Sequence, residues 1–308
     1  MEKLRHVLSN KQFEDPELLE YLFVSAEQLE RDDAARMLDR VLQGRILATI
    51  FYEPSTRTRF SFESAMQKLG GGLLTQENAS DNSSAAKGET IADTIRVVGN
   101  YADAIVIRHP QEGTAGEAAA ISQVPIINAG DGAGQHPTQA LLDLYTIRRE
   151  TGRLDRLRVV IIGDLKYGRT IHSLLPLLTL SPDVSVDLIS PESLRLPTIY
   201  AEEMRLRGVN FRELESLDGV LETADVVYVT RVQRERFATQ EAYDAVKDIY
   251  RIDAAAANRM KQHAIIMHAL PRVNEISPDV DRDSRAAYFR QTKNGLYVRM
   301  ALLKYLLA

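Results

Sequence analysis

Short apolar runs recur along this chain at 46–52, 104–107, 125–129, 159–163, 184–189, 226–230 and 264–268, and stretches of helical period lie between them. No other feature constrains the fold as strongly. Runs this short and this dense in Val, Ile and Ala suit strands buried on both faces. Strand–helix–strand succession then sets such strands parallel in one sheet, with helices covering it. Helical patterns are expected at 90–101, 137–150, 170–180, 197–208 and 295–307, after an opening helical region.

A chain of 308 residues has room for one large or two medium α/β domains. The helix starting at Pro137, followed by the turn Gly152-Arg153-Leu154-Asp155 and a fresh strand, marks a junction. The expected architecture is two doubly wound domains with parallel sheets, one of 1–137 plus 293–308 and one of 138–292. Ligands of such sheets bind beyond the carboxyl ends of the strands, and two facing domains would make a cleft.

Composition removes several function classes. A net charge of -5 argues against a general nucleic-acid binder, which carries a basic balance or stripe. Cysteine is absent, which excludes disulfides, thiolate metal sites and cysteine nucleophiles and fits a reducing cytoplasm. The six histidines form no HExxH-like ligand pattern, and His263 and His268, on either side of an apolar run, read as structural. No apolar run approaches ~20 residues, and the charged N-terminus does not suit a signal peptide, so no membrane span is expected and the chain reads as soluble and intracellular.

The polar motifs point to a small anionic substrate. Ser55-Thr56-Arg57-Thr58-Arg59 follows the first apolar run, and Phe60, Phe62, Ala65, Met66 and Leu69 then recur at helical spacing. The hydroxyls and guanidiniums therefore open a helix, where unpaired backbone N–H groups and partial positive charge suit a phosphate. An ordinary Ser or Thr N-cap with solvated arginines is the competing reading. Residues 77–87 read as a polar mobile loop carrying Ser83 and Lys87. Arg108 ends an apolar run, and His136 stands at a helix mouth with Gln139 one turn on. There an imidazole can donate to a carbonyl oxygen, and a carboxamide can accept from an N–H, or the imidazole can merely cap the helix.

Gly163-Asp164-Leu165-Lys166-Tyr167-Gly168-Arg169-Thr170 nearly spells a Walker A loop, but Arg169 stands where the lysine belongs, so it reads better as a carboxylate partner than as part of a nucleotide site. Arg231 and Gln233 share a face if the backbone stays extended, although a solvated charge run is the plainer alternative. Leu270-Pro271, after the last run, sets a proline where a kinked or cis bond turns carbonyls toward a ligand. No paired carboxylates, activated nucleophile or metal set accompanies these groups, so no cofactor is expected.

Taken in order, FYEPSTRTRFSFE, KGET, RHPQEG, NAGDGAGQHPTQ, GDLKYGRT, TRVQRER and LPRV resemble the aspartate carbamoyltransferase catalytic chains over nearly the whole length. The resemblance implies transfer of a carbamoyl group from carbamoyl phosphate to L-aspartate, early in pyrimidine synthesis. It implies that Ser55, Thr56, Arg57, Thr58 and Arg108 hold the phosphate, and that Thr58, Arg108 and His136 polarise the carbonyl oxygen. Gln139 and the Leu270 carbonyl would take the carbamoyl NH₂. Arg169, Arg231, Gln233 and Pro271 would meet the aspartate, with Glu53 pairing Arg169 and Arg236. It also implies a homotrimer whose active sites lie in the interdomain cleft and at the subunit interface, Ser83 and Lys87 coming from the neighbouring chain and Lys87 acting in catalysis and on aspartate. Some family members join zinc-bearing regulatory chains, which the sequence leaves open. Two positions depart from the pattern: Ala269 where proline is usual, and Asn274 where aspartate is usual. A carbamoyltransferase for another amino-acid acceptor and a catalytically idle scaffold remain the alternatives.

Overall fold

The computed structural model describes residues 4–132 and 134–308; Met1, Glu2, Lys3 and Ala133, the last inside the glycine-rich run before His136, lie outside them. The chain divides into two compact units. One runs through Leu142 and takes up Lys293–Ala308, and the other spans Asp143–Thr292.

The first unit opens with α1 (Pro16–Ala34), whose start is fixed by Pro16 in the first turn and by the Asp15 carboxylate accepting from Glu17 N at 2.9 Å. There follow β1 (Ile46–Phe51), α2 (Thr56–Lys68), β2 (Gly72–Glu77), the short α3 (Ala79–Asn82), α4 (Ile91–Val98), β3 (Ala104–His109), α5 (Thr114–Ile121) and β4 (Ile126–Asp131). The strands form one parallel sheet in the order β2-β1-β3-β4. Its core gathers Ile50, Ile105, Ile107 and Ile126 from the strands with Ile95 and Ala118 from the helices. β2 lies at the edge and is mostly solvated, so its side chains carry no apolar run. That is why it escapes a search for apolar runs.

Helix α6 (Pro137–Thr151) carries the chain into the second unit. There β5 (Arg158–Ile162), α7 (Arg169–Leu178), β6 (Ser185–Ile189), α8 (Thr198–Leu206), β7 (Asn210–Leu214), β8 (Val226–Val229), α9 (Gln240–Asp244), α10 (Ala254–Asn258) and β9 (Ile265–Met267) succeed one another. Their sheet is again parallel, in the order β7-β6-β5-β8-β9, over a core of Val160, Ile162, Val227, Val229 and Ile266. β7 is the second solvated edge strand that the apolar pattern does not reveal.

The last helix, α11 (Tyr288–Leu307), starts well before the expected residue 295. Gly295, which reads as a helix boundary, lies inside it. A Cβ there would stand 2.9 Å from Leu142 Cδ2, so close packing, not chain termination, accounts for this glycine. Two other expectations are corrected. Residues 77–87 are not a featureless loop but α3 followed by a tight helical turn, Ser84–Lys87. Phe60, assigned to the apolar face of α2, is 53% exposed, whereas Phe62, Ala65, Met66 and Leu69 are buried.

Both sheets reverse direction once. From β1 the chain moves outward to β2 and then returns past β1 to β3. From β5 it moves to β6 and β7 and then returns to β8. The crevices at these reversals, between β1 and β3 and between β5 and β8, are where open parallel sheets bind ligands.

Candidate active site

In the first unit the polar residues collect at the carboxyl edge of the sheet. Phe51, the last residue of β1, registers with Arg108 of β3, and Tyr52 N donates to Arg108 O at 2.9 Å, so α2 begins directly beside Arg108. Ser55 is the residue preceding α2, and Thr56, Arg57 and Thr58 make its first turn. Arg57 and Thr56 are exposed and Thr58 is buried. Hydroxyls and a guanidinium at a helix N-terminus, where the first backbone N–H groups have no acceptor within the helix, are the elements of an anion cradle. Arg59, one residue on, is spent locally: it pairs with Glu77 at 2.9 Å and lies near Glu63 at 3.8 Å.

Arg108 Nη1 donates to Ala129 O at 3.2 Å, and its Nε lies 3.5 Å from Glu53 Oε2. His136 is 4% exposed and immediately precedes α6, its carbonyl accepting from Gln139 N at 3.0 Å. The segment bringing it there is built on Asp131, whose carboxylate accepts from Gln135 N (2.9 Å), Gly113 N (3.0 Å) and Asn128 Nδ2 (3.1 Å). Gly132 has φ 49°, and a Cβ on it would meet Pro110 O at 2.6 Å, so no other residue fits this approach. Ser83 follows α3 and turns its hydroxyl inward, donating to Ala79 O at 2.5 Å and accepting from Ala85 N at 3.1 Å. Lys87 is exposed.

The second unit repeats the arrangement with different chemistry. Ile162 of β5 registers with Val229 of β8, so the segments 163–168 and 230–236 leave the sheet side by side. Gln233 Nε2 donates to Tyr167 O at 3.2 Å, and Arg169 N donates to the same carbonyl at 2.9 Å, which ties the first turn of α7 to the segment after β8. Asp164, fully buried, accepts from Tyr167 N at 2.9 Å. Burial pushes its carboxyl above the ordinary range, against the opposing pull of the backbone N–H groups and of Arg236.

Arg231 pairs with Glu235 at 2.7 Å. Burial works to raise the Glu235 carboxyl, but the hydrogen bond and charge of Arg231 hold it below its usual value. An exposed pair of this kind is worth about 0.2–1 kcal/mol, so it yields readily to a competing carboxylate. Leu270 and Pro271 follow β9, joined by a cis peptide bond, with Leu270 N donating to His268 Nδ1 at 2.7 Å.

Each sheet thus presents cations at its own reversal: a helix-mouth cradle with Arg57 and Arg108 in one, Arg169 and Arg231 in the other. Two family models describe the two halves of the chain. The carbamoyl-P binding domain of aspartate/ornithine carbamoyltransferases matches residues 5–149, and their Asp/Orn binding domain matches residues 155–306. The chain belongs to the aspartate/ornithine carbamoyltransferase family.

Within that family the likeness is to the aspartate enzymes. The chloroplastic aspartate carbamoyltransferase of Arabidopsis thaliana is 51% identical over 306 residues, which is 99% of this chain and 78% of that protein. The catalytic subunit from Methanocaldococcus jannaschii is 50% identical over 304 residues, 99% and 98% of the two chains. Among solved structures, the Trypanosoma cruzi aspartate transcarbamoylase in complex with carbamoyl phosphate and aspartate superposes with a TM-score of 0.94. Its identity is 42%, with 99% of this chain and 98% of that one covered.

The candidate site rests on supports that motif reading passes over. Asp131 and Asp164 sit inside the glycine-rich motifs as apparent spacers, yet they order the loops that carry His136 and Arg169. His268 and Glu275, 2.8 Å apart and both buried, flank the Leu270 segment. For Asp131, Asp164 and His268 the available signal was a position at or just past a strand end, where a polar residue in an apolar context needs a partner.

Proposed function

We infer that this chain transfers the carbamoyl group of carbamoyl phosphate to the amino group of L-aspartate, giving N-carbamoyl-L-aspartate and phosphate at an early step of pyrimidine biosynthesis. One observation carries the reading: relatives that bear this name are about 50% identical over nearly the whole chain. The residue chemistry agrees with it.

The phosphate of the donor is held by the N–H groups opening α2, by Ser55, Thr56, Arg57 and Thr58, and by Arg108. Thr58, Arg108 and His136 stabilise the negative charge that develops on the carbonyl oxygen as the amine attacks; groups fixed in advance for such charge supply the largest share of rate in acyl transfers. Gln139 and the Leu270 carbonyl accept from the carbamoyl NH₂, which orients the carbon toward the acceptor. Arg169, Arg231 and Gln233, with the Pro271 segment, hold the aspartate carboxylates. A side chain bearing an amine would find no use for two arginines there.

Phosphate is a competent leaving group, so no covalent enzyme intermediate is required. The amine attacks in its neutral form, the C–O bond to phosphate breaks with its electron pair going to the phosphate oxygen, and the departing phosphate takes the amine proton. Among the groups assigned to the site none is better suited as a base.

The working form is a homotrimer in the cytoplasm, each site completed by Ser83 and Lys87 of a neighbouring chain. The supporting features are the short ordered turn that presents Lys87 to solvent and a cysteine-free composition. Initial rates of ureido product from carbamoyl phosphate with L-aspartate and with L-ornithine test the acceptor. Product with aspartate alone is expected, and a preference for ornithine overturns the reading.

A further inference from the structure

The segment after β9 is gripped by a buried chain of polar groups, every member of which lies in the second unit. His268 Nδ1 accepts from Leu270 N at 2.7 Å, and Nε2 lies 2.8 Å from Glu275 Oε1. The tautomer follows from these two contacts. Nδ1 faces an N–H and must be the acceptor, so Nε2 carries the proton and donates it to the carboxylate. The other oxygen of Glu275 accepts from Val273 N and Asn274 N, each at 3.0 Å, so the carboxylate closes the turn that begins at Leu270.

Behind this pair the backbone of His268 is fixed in turn. His268 N donates to Gln291 Oε1 at 3.0 Å, Gln291 Nε2 to Asp143 Oδ1 at 2.6 Å, and Tyr228 OH to Asp143 Oδ2 at 2.7 Å. His268, Glu275, Gln291, Asp143 and Tyr228 are all at least nine-tenths buried. A buried, mutually satisfied network of this kind rigidifies what it holds.

We propose that His268 is a positioning residue for the carbamoyl group: by accepting from Leu270 N–H it fixes the Ala269–Leu270 peptide and so anchors the residue whose carbonyl meets the carbamoyl NH₂, and Glu275 locks its imidazole in the accepting tautomer. This rests on the role given to Leu270 in the carbamoyltransferase reading. Ala269 and Pro271, on either side of Leu270, carry no polar side chain, and the His268 contact holds Leu270 from its N–H side.

Two isosteric variants separate this role from a purely structural one. In His268→Asn the amide oxygen takes the place of Nδ1, keeping the acceptor for Leu270 while leaving Glu275 Oε1 without the imidazole donor. In His268→Gln the amide nitrogen takes the place of Nε2, keeping the donor to Glu275 while Leu270 loses its acceptor. The Asn variant should melt lower than wild type yet keep kcat with aspartate within a few-fold. The Gln variant should melt closer to wild type but lose about tenfold to a hundredfold in kcat, the effect of one misplaced hydrogen bond. Deuterium exchange of the peptide spanning Leu270 should be fast in Gln and slow in wild type and Asn.

If activity instead tracks melting temperature in both variants, or exchange at Leu270 is the same in all three, the positioning role is wrong. Exchange is read without substrate. A wild-type chain that makes no ureido product therefore refutes the carbamoyltransferase reading while the exchange arm still decides the grip on Leu270.

Discussion

A Cβ added to Gly163 would stand 2.4 Å from the carbonyl oxygen of Thr230. The segments after β5 and after β8 meet at that point, and Thr230 completes the contact by donating from Oγ1 to Ile162 O at 3.0 Å. Gly163 also has φ 116°, outside the range of side-chain-bearing residues.

Gly163→Ala should therefore cost roughly 1–3 kcal/mol of stability, from the disallowed backbone and the forced separation. It should also raise the KM for aspartate, because Arg169 and Gln233 leave the sheet on these segments. Thermal melting and aspartate titration check both effects. Wild-type behaviour in both would show that the two segments do not depend on this contact.

Arg231→Lys keeps the charge but loses the planar fork. The KM for aspartate should rise about tenfold or more, as expected when a charge-assisted pair of ~1.5–3 kcal/mol is degraded, while the KM for carbamoyl phosphate stays put. Initial-rate kinetics varying each substrate in turn give the two constants.

Arg108→Ala removes a group proposed to stabilise the developing oxyanion and should lower kcat by roughly 10²–10³, the usual cost of one such donor. The fold should survive, since Arg108 lies at a strand end and not in the core. Circular dichroism alongside the rate confirms that the loss is chemical.

On the proposed shared-site trimer, mixing Lys87→Ala chains with His136→Ala chains should restore activity above either parent, because some sites in a hybrid would take both residues from intact chains. Equal activity before and after subunit exchange would place Lys87 outside a shared site.

Asp187 is set between Arg158 and Arg212, with Oδ2 2.8 Å from Arg158 and Oδ1 2.7 Å from Arg212. Burial acts to raise its carboxyl, but hydrogen bonds and charge from Arg212 and Arg158 hold it below 3.8. A carboxyl lowered in the folded state contributes its stability in full above the unfolded value and loses it as pH falls through the lower folded value. The stability difference between wild type and Asp187→Asn should be flat from neutral pH down to about 5 and should shrink below about 4, the ordinary carboxylate range. Denaturant midpoints across that range measure it.

The sequence declared both sheets wherever strands are buried on two faces. It concealed β2 and β7, whose solvated edge positions lack the apolar density that marks β1 or β5. Arg57, Arg108, Arg169 and Arg231, the groups proposed to meet the substrates, stand out in the sequence because they are cations just past apolar runs. Their supports were not. Asp131, Asp164 and Glu275 act through backbone N–H groups whose positions depend on the turn they themselves create, and His268 finds Glu275 only across a reversal of the chain. Gly295 shows the opposite failure: a local signal for a helix end was overruled by packing against Leu142.

Following ¹³C-labelled carbamoyl phosphate in the presence of L-aspartate by NMR tests the central claim most directly. The label should appear in the ureido carbon of N-carbamoyl-L-aspartate with one phosphate released per carbon transferred. Label accumulating in bicarbonate, in citrulline when ornithine competes, or nowhere at all would contradict it.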